Sequence, residues 1–171
     1  LNKTGRPMTF YMCVQGQEDV FKWGRRTGNL WRTTMDICAP NHATWGKMLQ
    51  NFYGNARYPN VTAPGAWQDP DMLIVGMPID GQLNNHTRVQ WRSHLSLWAM
   101  SAAPLWIGVD MTRLPPGALE VLTNSRVLAV DQDPLGHAAV CVSKDGCPPV
   151  RGDGLSSLRF SDESKSSGRP G

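Results

Sequence analysis

Met8-Thr9-Phe10-Tyr11-Met12-Cys13-Val14 is a run of aromatic, apolar and β-branched side chains with no polar alternation. A strand with one wet face alternates and a strand covered on both faces does not, so the run predicts a strand inside a parallel sheet. Gly16 to Gly28 is polar and glycine-bounded and reads as a loop, and Leu30 to Ile37 reads as the end of a second strand leading into Cys38-Ala39-Pro40-Asn41. From His42 to Tyr53, Trp45, Met48, Leu49 and Phe52 fall at helical spacing, with Asn41 placed to cap the helix. Turn formers fill Asn55 to Pro64, and the run to Gly76 reads as a strand end and its loop. Thr87 to Ala102 spaces Trp91, Leu95, Trp98 and Ala102 as one helical stripe that Pro104 stops. Leu105-Trp106-Ile107 is expected as a short buried strand, Pro115 to Leu122 as a proline-started helix and Val127 to Val130 as another strand.

The order β, β, α, β, α, β, α, β predicts an α/β fold, and polar clusters after successive strands suit a (β/α)8 barrel, whose chemistry gathers at the C-terminal ends of its strands. A whole barrel takes roughly 250 residues. The expectation is therefore a partial barrel domain over residues 1–137, followed by an irregular, poorly packed tail or the severed start of a β domain over 138–171. The tail is rich in Ser, Gly, Arg and Asp, and such a stretch buries too little to offset its ordering entropy.

Composition narrows the function. The 171 residues are 40% hydrophobic and 18% charged, as in an ordinary globular protein. A net charge of +3 with scattered basic residues gives little basis for nucleic-acid capture, and Lys22, Arg25 and Arg26 read as a solvated face. No run reaches the roughly 20 apolar residues of a membrane span. The first residues lack both an initiating Met and a signal-peptide core, which predicts a start inside a longer protein. Sequons at Asn2, Asn60 and Asn85 favour an exported, extracytoplasmic or lysosome-like protein. Cys13, Cys38, Cys141 and Cys147 lack zinc-site spacing, and His42, His86, His94 and His137 lack ligand spacing, so no metal and no cofactor are expected.

Two clusters carry chemistry. In Trp31-Arg32-Thr33-Thr34-Met35-Asp36 the guanidinium is a fixed fork of donors, and Asp36 lies close enough to share its pocket. A carboxyl placed there suits a general acid; the plainer alternative is a structural ion pair. In Gly65-Ala66-Trp67-Gln68-Asp69-Pro70-Asp71-Met72, Asp71 could take a sugar hydroxyl and Trp67 an apolar sugar face, with Asp69 holding the loop. The alternative is a turn in which both aspartates bond to nearby amides. Trp45, Trp91 and Trp98 lie on helical stripes and read as core. Arg151-Gly152-Asp153 matches an integrin-binding tripeptide that is expected to be coincidental in a polar tail.

These two clusters, with Leu97-Trp98-Ala99-Met100-Ser101-Ala102-Ala103-Pro104-Leu105 and Val127-Leu128-Ala129-Val130-Asp131-Gln132-Asp133-Pro134-Leu135-Gly136, resemble the α-galactosidase and α-N-acetylgalactosaminidase family, glycoside hydrolase family 27. The resemblance covers roughly residues 4 to 137. It implies the C-terminal half of the barrel, about strands five to eight, and a retaining hydrolase of terminal α-galactosides. Asp36 matches the family's acid/base, Arg32 its substrate-binding arginine, and Asp71 with Met72 positions that touch the sugar. The family's nucleophile is an aspartate on the fourth strand in a Lys-x-Asp setting, which these residues do not include, so the chain alone is expected to be inactive. A carbohydrate is the expected partner, and no oligomeric state is assigned.

The chain departs from the family after the first strand. Where many members carry Cys-Glu-Trp, the Glu binding the sugar's 2-hydroxyl, it reads Cys13-Val14-Gln15-Gly16-Gln17-Glu18. Either Gln15, Gln17 or Glu18 takes that role, or the sugar differs at that carbon, which keeps isomaltose-type glucans and arabinopyranosides open as substrates. Some relatives pair the first cysteine with one that Gly28 replaces here, so Cys13 either meets Cys38 or stays a buried free thiol; Cys141 and Cys147 could close a hairpin. A non-catalytic carbohydrate-binding remnant is the alternative from another class.

Overall fold

The computed structural model describes residues 2–38 and 42–142. The expectations for the tail beyond residue 142, and those for Asn41 as a cap and for a Cys141–Cys147 hairpin, fall wholly or partly outside these residues.

Three short strands, β1 (Tyr11–Met12), β2 (Leu30–Arg32) and β3 (Trp67–Asp69), form a parallel sheet in the order β1-β2-β3. Tyr11 pairs with Leu30, and Arg32 with Asp69. A parallel bridge between Leu73 and Ile107 continues the sheet past β3. All three residues of β2 are buried, because it has neighbours on both sides. β1 is an edge: Met12 is buried but Met8, Phe10 and Tyr11 are exposed, so its apolar run is not covered on both faces as expected. Leu105–Ile107 differs in the same way, with Trp106 54% and Ile107 45% exposed.

Among the described residues, five α-helices follow or separate these strands: α1 (Val20–Thr27), α2 (Trp45–Asn55), α3 (Asn85–Met100), α4 (Ala118–Leu122) and α5 (Ser125–Asp131). The expected loop at residues 16–28 contains α1. Its Gly24 allows close approach, since a Cβ there would lie 2.8 Å from the Trp31 ring. Val127 to Val130 belongs to α5 and not to a strand; four apolar residues fit either period, and Asn124, which accepts from the Arg126 and Val127 amides, starts a helix. Within the described residues, α2 is capped by Thr44, whose hydroxyl accepts from the Lys47 amide.

α3 is capped reciprocally. The Asn84 side chain accepts from the Thr87 amide at 3.1 Å, and the Thr87 hydroxyl accepts from the Asn84 amide at 3.2 Å. One face of α3 buries Trp91, His94, Leu95 and Trp98 against Ile37, Met48 and Leu73 to Val75, making the main core. Trp91 and Trp98 are core residues as expected, and Trp45 packs at its margin. A smaller cluster of Met12, Val20, Trp31 and Ala66 seats α1 on the sheet, with Val14 and Trp23 packed against it. No helix among the described residues is long and apolar enough to cross a membrane.

Candidate active site at the C-terminal ends of the strands

Parallel pairing brings the C-terminal ends of β1, β2 and β3 to one side, and the polar residues that follow them converge there. Arg32, the last residue of β2, is 6% exposed. One of its terminal nitrogens donates to Asp36 Oδ1 at 3.1 Å, to Asp71 Oδ2 at 2.9 Å and to the Thr34 carbonyl at 3.2 Å. Burial alone would make the guanidinium easier to deprotonate, but Asp71, Tyr11 and Asp69 outweigh it and hold the proton more firmly than usual. The two sequence clusters are thus joined by one cation.

Asp71 is held from several directions. Its Oδ2 also accepts from the Ile37 amide at 2.7 Å, its Oδ1 accepts from the Met72 amide at 2.7 Å, and its carbonyl accepts from the Trp98 indole at 2.6 Å. The residue adopts φ 96, a conformation that a non-glycine residue keeps only when its surroundings over-determine it. Asp69 acts as the loop holder expected of it: Oδ1 accepts from the Asp71 amide and Oδ2 from the Tyr11 hydroxyl, both at 2.7 Å. Burial raises the Asp69 carboxyl above its usual range, against the lowering effect of these bonds and of Arg32. The Tyr11 phenol is raised as well, by burial and then by Asp69. Pro70 fixes the turn, and its carbonyl accepts from Thr34 Oγ1 and Asn51 Nδ2.

Asp36 is different. Its side chain is 52% exposed, against 7% for Arg32 and 12% for Asp71. Beyond Arg32, its partner among the described residues is Gln15, whose Nε2 donates to Oδ1 at 3.1 Å. A carboxyl reachable by solvent but tethered to a buried ion pair can exchange protons with a bound molecule; Asp71, enclosed and saturated with donors, suits holding instead.

Two open cavities border this cluster. One, of about 350 Å³, is lined by Tyr11, Asp69, Asp71, Met72 and Trp106; the other, of about 320 Å³, by Met35, Asp36, Ile37, His42, Thr44 and Lys47. Sequence reasoning named Arg32, Asp36, Asp71 and Met72, and all four lie together here. It missed Tyr11, whose place beside Asp69 depends on strand register, a property that no local motif encodes.

The structure does not bring Trp67 to this cluster. Trp67 is the first residue of β3, paired with Leu30, and lines a separate cavity of about 450 Å³ with Pro64, Ala103, Leu105 and Asp131 at the opposite ends of the strands. It therefore lies in a different cavity from Asp71 and Met72. Proximity in sequence misled here, because four residues of extended chain span more than 10 Å. Cys13 and Cys38 are both free, so the possible pairing between them is not made, and Cys13 is exposed, not buried. Burial, then the nearby Asp71 and Asp36, raise the Cys38 thiol above its ordinary value.

The profile of the Alpha galactosidase A family matches residues 1–133. Alpha-galactosidase 2 of Arabidopsis thaliana is 39% identical over 159 residues, covering 93% of this chain and 38% of that protein. An Oryza sativa α-galactosidase is 39% identical over 155 residues, 91% of this chain and 35% of its own. Among solved structures, a Saccharomyces cerevisiae α-galactosidase determined with raffinose superposes with a TM-score of 0.66 at 28% identity, over 82% of this chain and 34% of that one. The chain thus spans well under half the length of these relatives, and its small parallel sheet with flanking helices corresponds to part of their (β/α)8 barrel. By sequence and by fold, the chain belongs to the α-galactosidase family, glycoside hydrolase family 27.

Proposed function

We propose that this chain is the acid/base and sugar-holding part of a retaining α-galactosidase, with residues 1–137 forming the C-terminal half of its barrel and residues 138–171 an irregular tail or the severed start of a β domain. Asp36 is the acid/base. It gives its proton to the glycosidic oxygen as the bond from that oxygen to the anomeric carbon breaks and a nucleophilic carboxylate bonds to that carbon. Asp36, now ionised, then takes a proton from the water that displaces the carboxylate, releasing the sugar with its configuration retained. Arg32, Asp71 and Met72 hold the sugar. The nucleophile comes from sequence outside these 171 residues.

The observation that carries this reading is the single Arg32 nitrogen shared between half-exposed Asp36 and buried Asp71. It supports the reading because it holds a half-exposed carboxyl beside a rigid, buried one, which an ordinary surface ion pair does not do. Val14 packs against the Trp31 cluster and offers no hydrogen bond, which favours a second reading of the substrate: an isomaltose-type glucan or an arabinopyranoside. Sequons at Asn60 and Asn85, both exposed, support an exported parent.

The test is hydrolysis of nitrophenyl α-galactoside, with the α-glucoside and β-arabinopyranoside in parallel. The isolated chain is expected to give no turnover, and a chain extended upstream through the nucleophile strand to give it. Asp36→Asn in the extended chain should cut kcat/KM by a factor of about 100 or more for methyl α-galactoside, whose leaving group must be protonated. Turnover by the isolated chain, or an indifferent Asp36→Asn, contradicts the proposal. Galactose binding with no turnover even in the extended chain would instead favour a binding remnant.

A further inference from the structure

The turn after β1 is held in a strained shape. Gln15 has φ 53, and Glu18 and Asp19 follow with φ 55 and 50, all in the left-handed region. Non-glycine residues keep that conformation only where neighbouring structure imposes it. The imposing contacts are specific. The Gly16 amide donates to the Arg32 carbonyl at 3.0 Å and the Gln17 amide to the Val14 carbonyl at 2.9 Å. A Cβ on Gly16 would lie 2.2 Å from the Thr33 carbonyl oxygen, so the turn is pressed against the end of β2. Val14 on one side of this turn packs toward Trp31, and Gln15 is sent the other way, to Asp36.

We propose that Gln15 is a positioning residue for Asp36, its amide holding Oδ1 so that Oδ2 is the oxygen that carries the proton. This rests on the reading of Asp36 as the acid/base. A half-exposed aspartate tied at one point can rotate about its side-chain bonds. Arg32 from β2 and Gln15 from the turn after β1 both donate to Oδ1, at 3.1 Å each, and fix it from two elements. An oxygen that already accepts two such bonds is the poorer site for a proton, so protonation goes to the other one. A neutral amide supplies this bond without a second cation that would favour the ionised carboxyl. The amide presents its NH2 end to Oδ1, the orientation that an ionised Asp36 favours, since the carbonyl end would be repelled by the carboxylate.

Two measurements test the proposal. In the 171-residue chain, the Gln15 side-chain amide protons, followed by NMR across roughly pH 2 to 8, should move with one carboxyl titration that Asp36→Asn abolishes. Resonances indifferent to Asp36→Asn would overturn the proposal. In the upstream-extended chain, Gln15→Leu should reduce kcat/KM about tenfold more for methyl α-galactoside, whose leaving group needs a proton, than for nitrophenyl α-galactoside, whose leaving group does not. Equal losses on the two substrates would mean a merely structural role and overturn it. Gln15→Glu, which keeps the size and replaces the donor with a like charge, should move the alkaline limb of the pH profile upward; an unmoved limb counts against the proposal. If Asp36→Asn itself shows no dependence on leaving group, the acid/base reading has failed, a result distinct from failure of Gln15 alone.

Discussion

His94 is the most costly residue for its surroundings. It is fully buried in α3, stacks on Trp98 with ring centroids 4.1 Å apart, and neither ring nitrogen finds a partner among the described residues. Burial lowers its proton affinity from the usual 6.5 to about 3. Between those values an unfolded chain binds the proton and the folded one does not, so stability falls as pH drops from 6.5 toward 3. At about pH 5 the loss is on the order of 2 kcal/mol relative to neutrality. His94→Phe should remove that dependence: urea unfolding at the two pH values should differ by about 2 kcal/mol less than in the parent chain. An unchanged difference would mean that other groups set the acid limit. Arg32 stands at the other extreme, buried but with carboxylates on two sides, so its charge is compensated where it lies.

At the scale of elements, α3 links core to site, because the helix that buries Trp91 also sends the Trp98 indole to the Asp71 carbonyl. Its N-terminus depends on Asn84. Asn84→Ala removes the side-chain half of the capping box and should cost about 1 kcal/mol, measured as a shift in unfolding midpoint at unchanged slope. The periodic stripe of α3 was legible in the sequence because a long helix repeats its signal several times. Short elements were not. α1 was hidden by polar residues and by Gly24, whose reason for being glycine is a ring on another element, and α5 was hidden by an apolar run shorter than either period can resolve. The site divided along the same line. Arg32, Asp36, Asp71 and Met72 follow strands on one side and could be read from local motifs, whereas Tyr11 and the misassigned Trp67 depend on where along each strand a residue sits.

For the molecule as a whole, the sheet ends in two open edges among the described residues. Phe10 and Tyr11 lie at one, 40% exposed each, and Trp106 and Ile107 at the other. Unpaired parallel edges with apolar side chains template association. The isolated chain should therefore associate with rising concentration, and a Phe10→Lys/Trp106→Lys chain should remain monomeric by light scattering under the same conditions. Association unaffected by both changes would locate the sticky surface elsewhere. The frame around Asp71 has another consequence. Its carboxylate takes two bonds from main-chain amides, those of Ile37 and Met72, and a third from the Arg32 side chain. No codon change deletes a peptide group. Side chains that do not touch Asp71, Val14 and Gln17 among them, can thus drift while that one carboxylate, given Arg32, keeps its address.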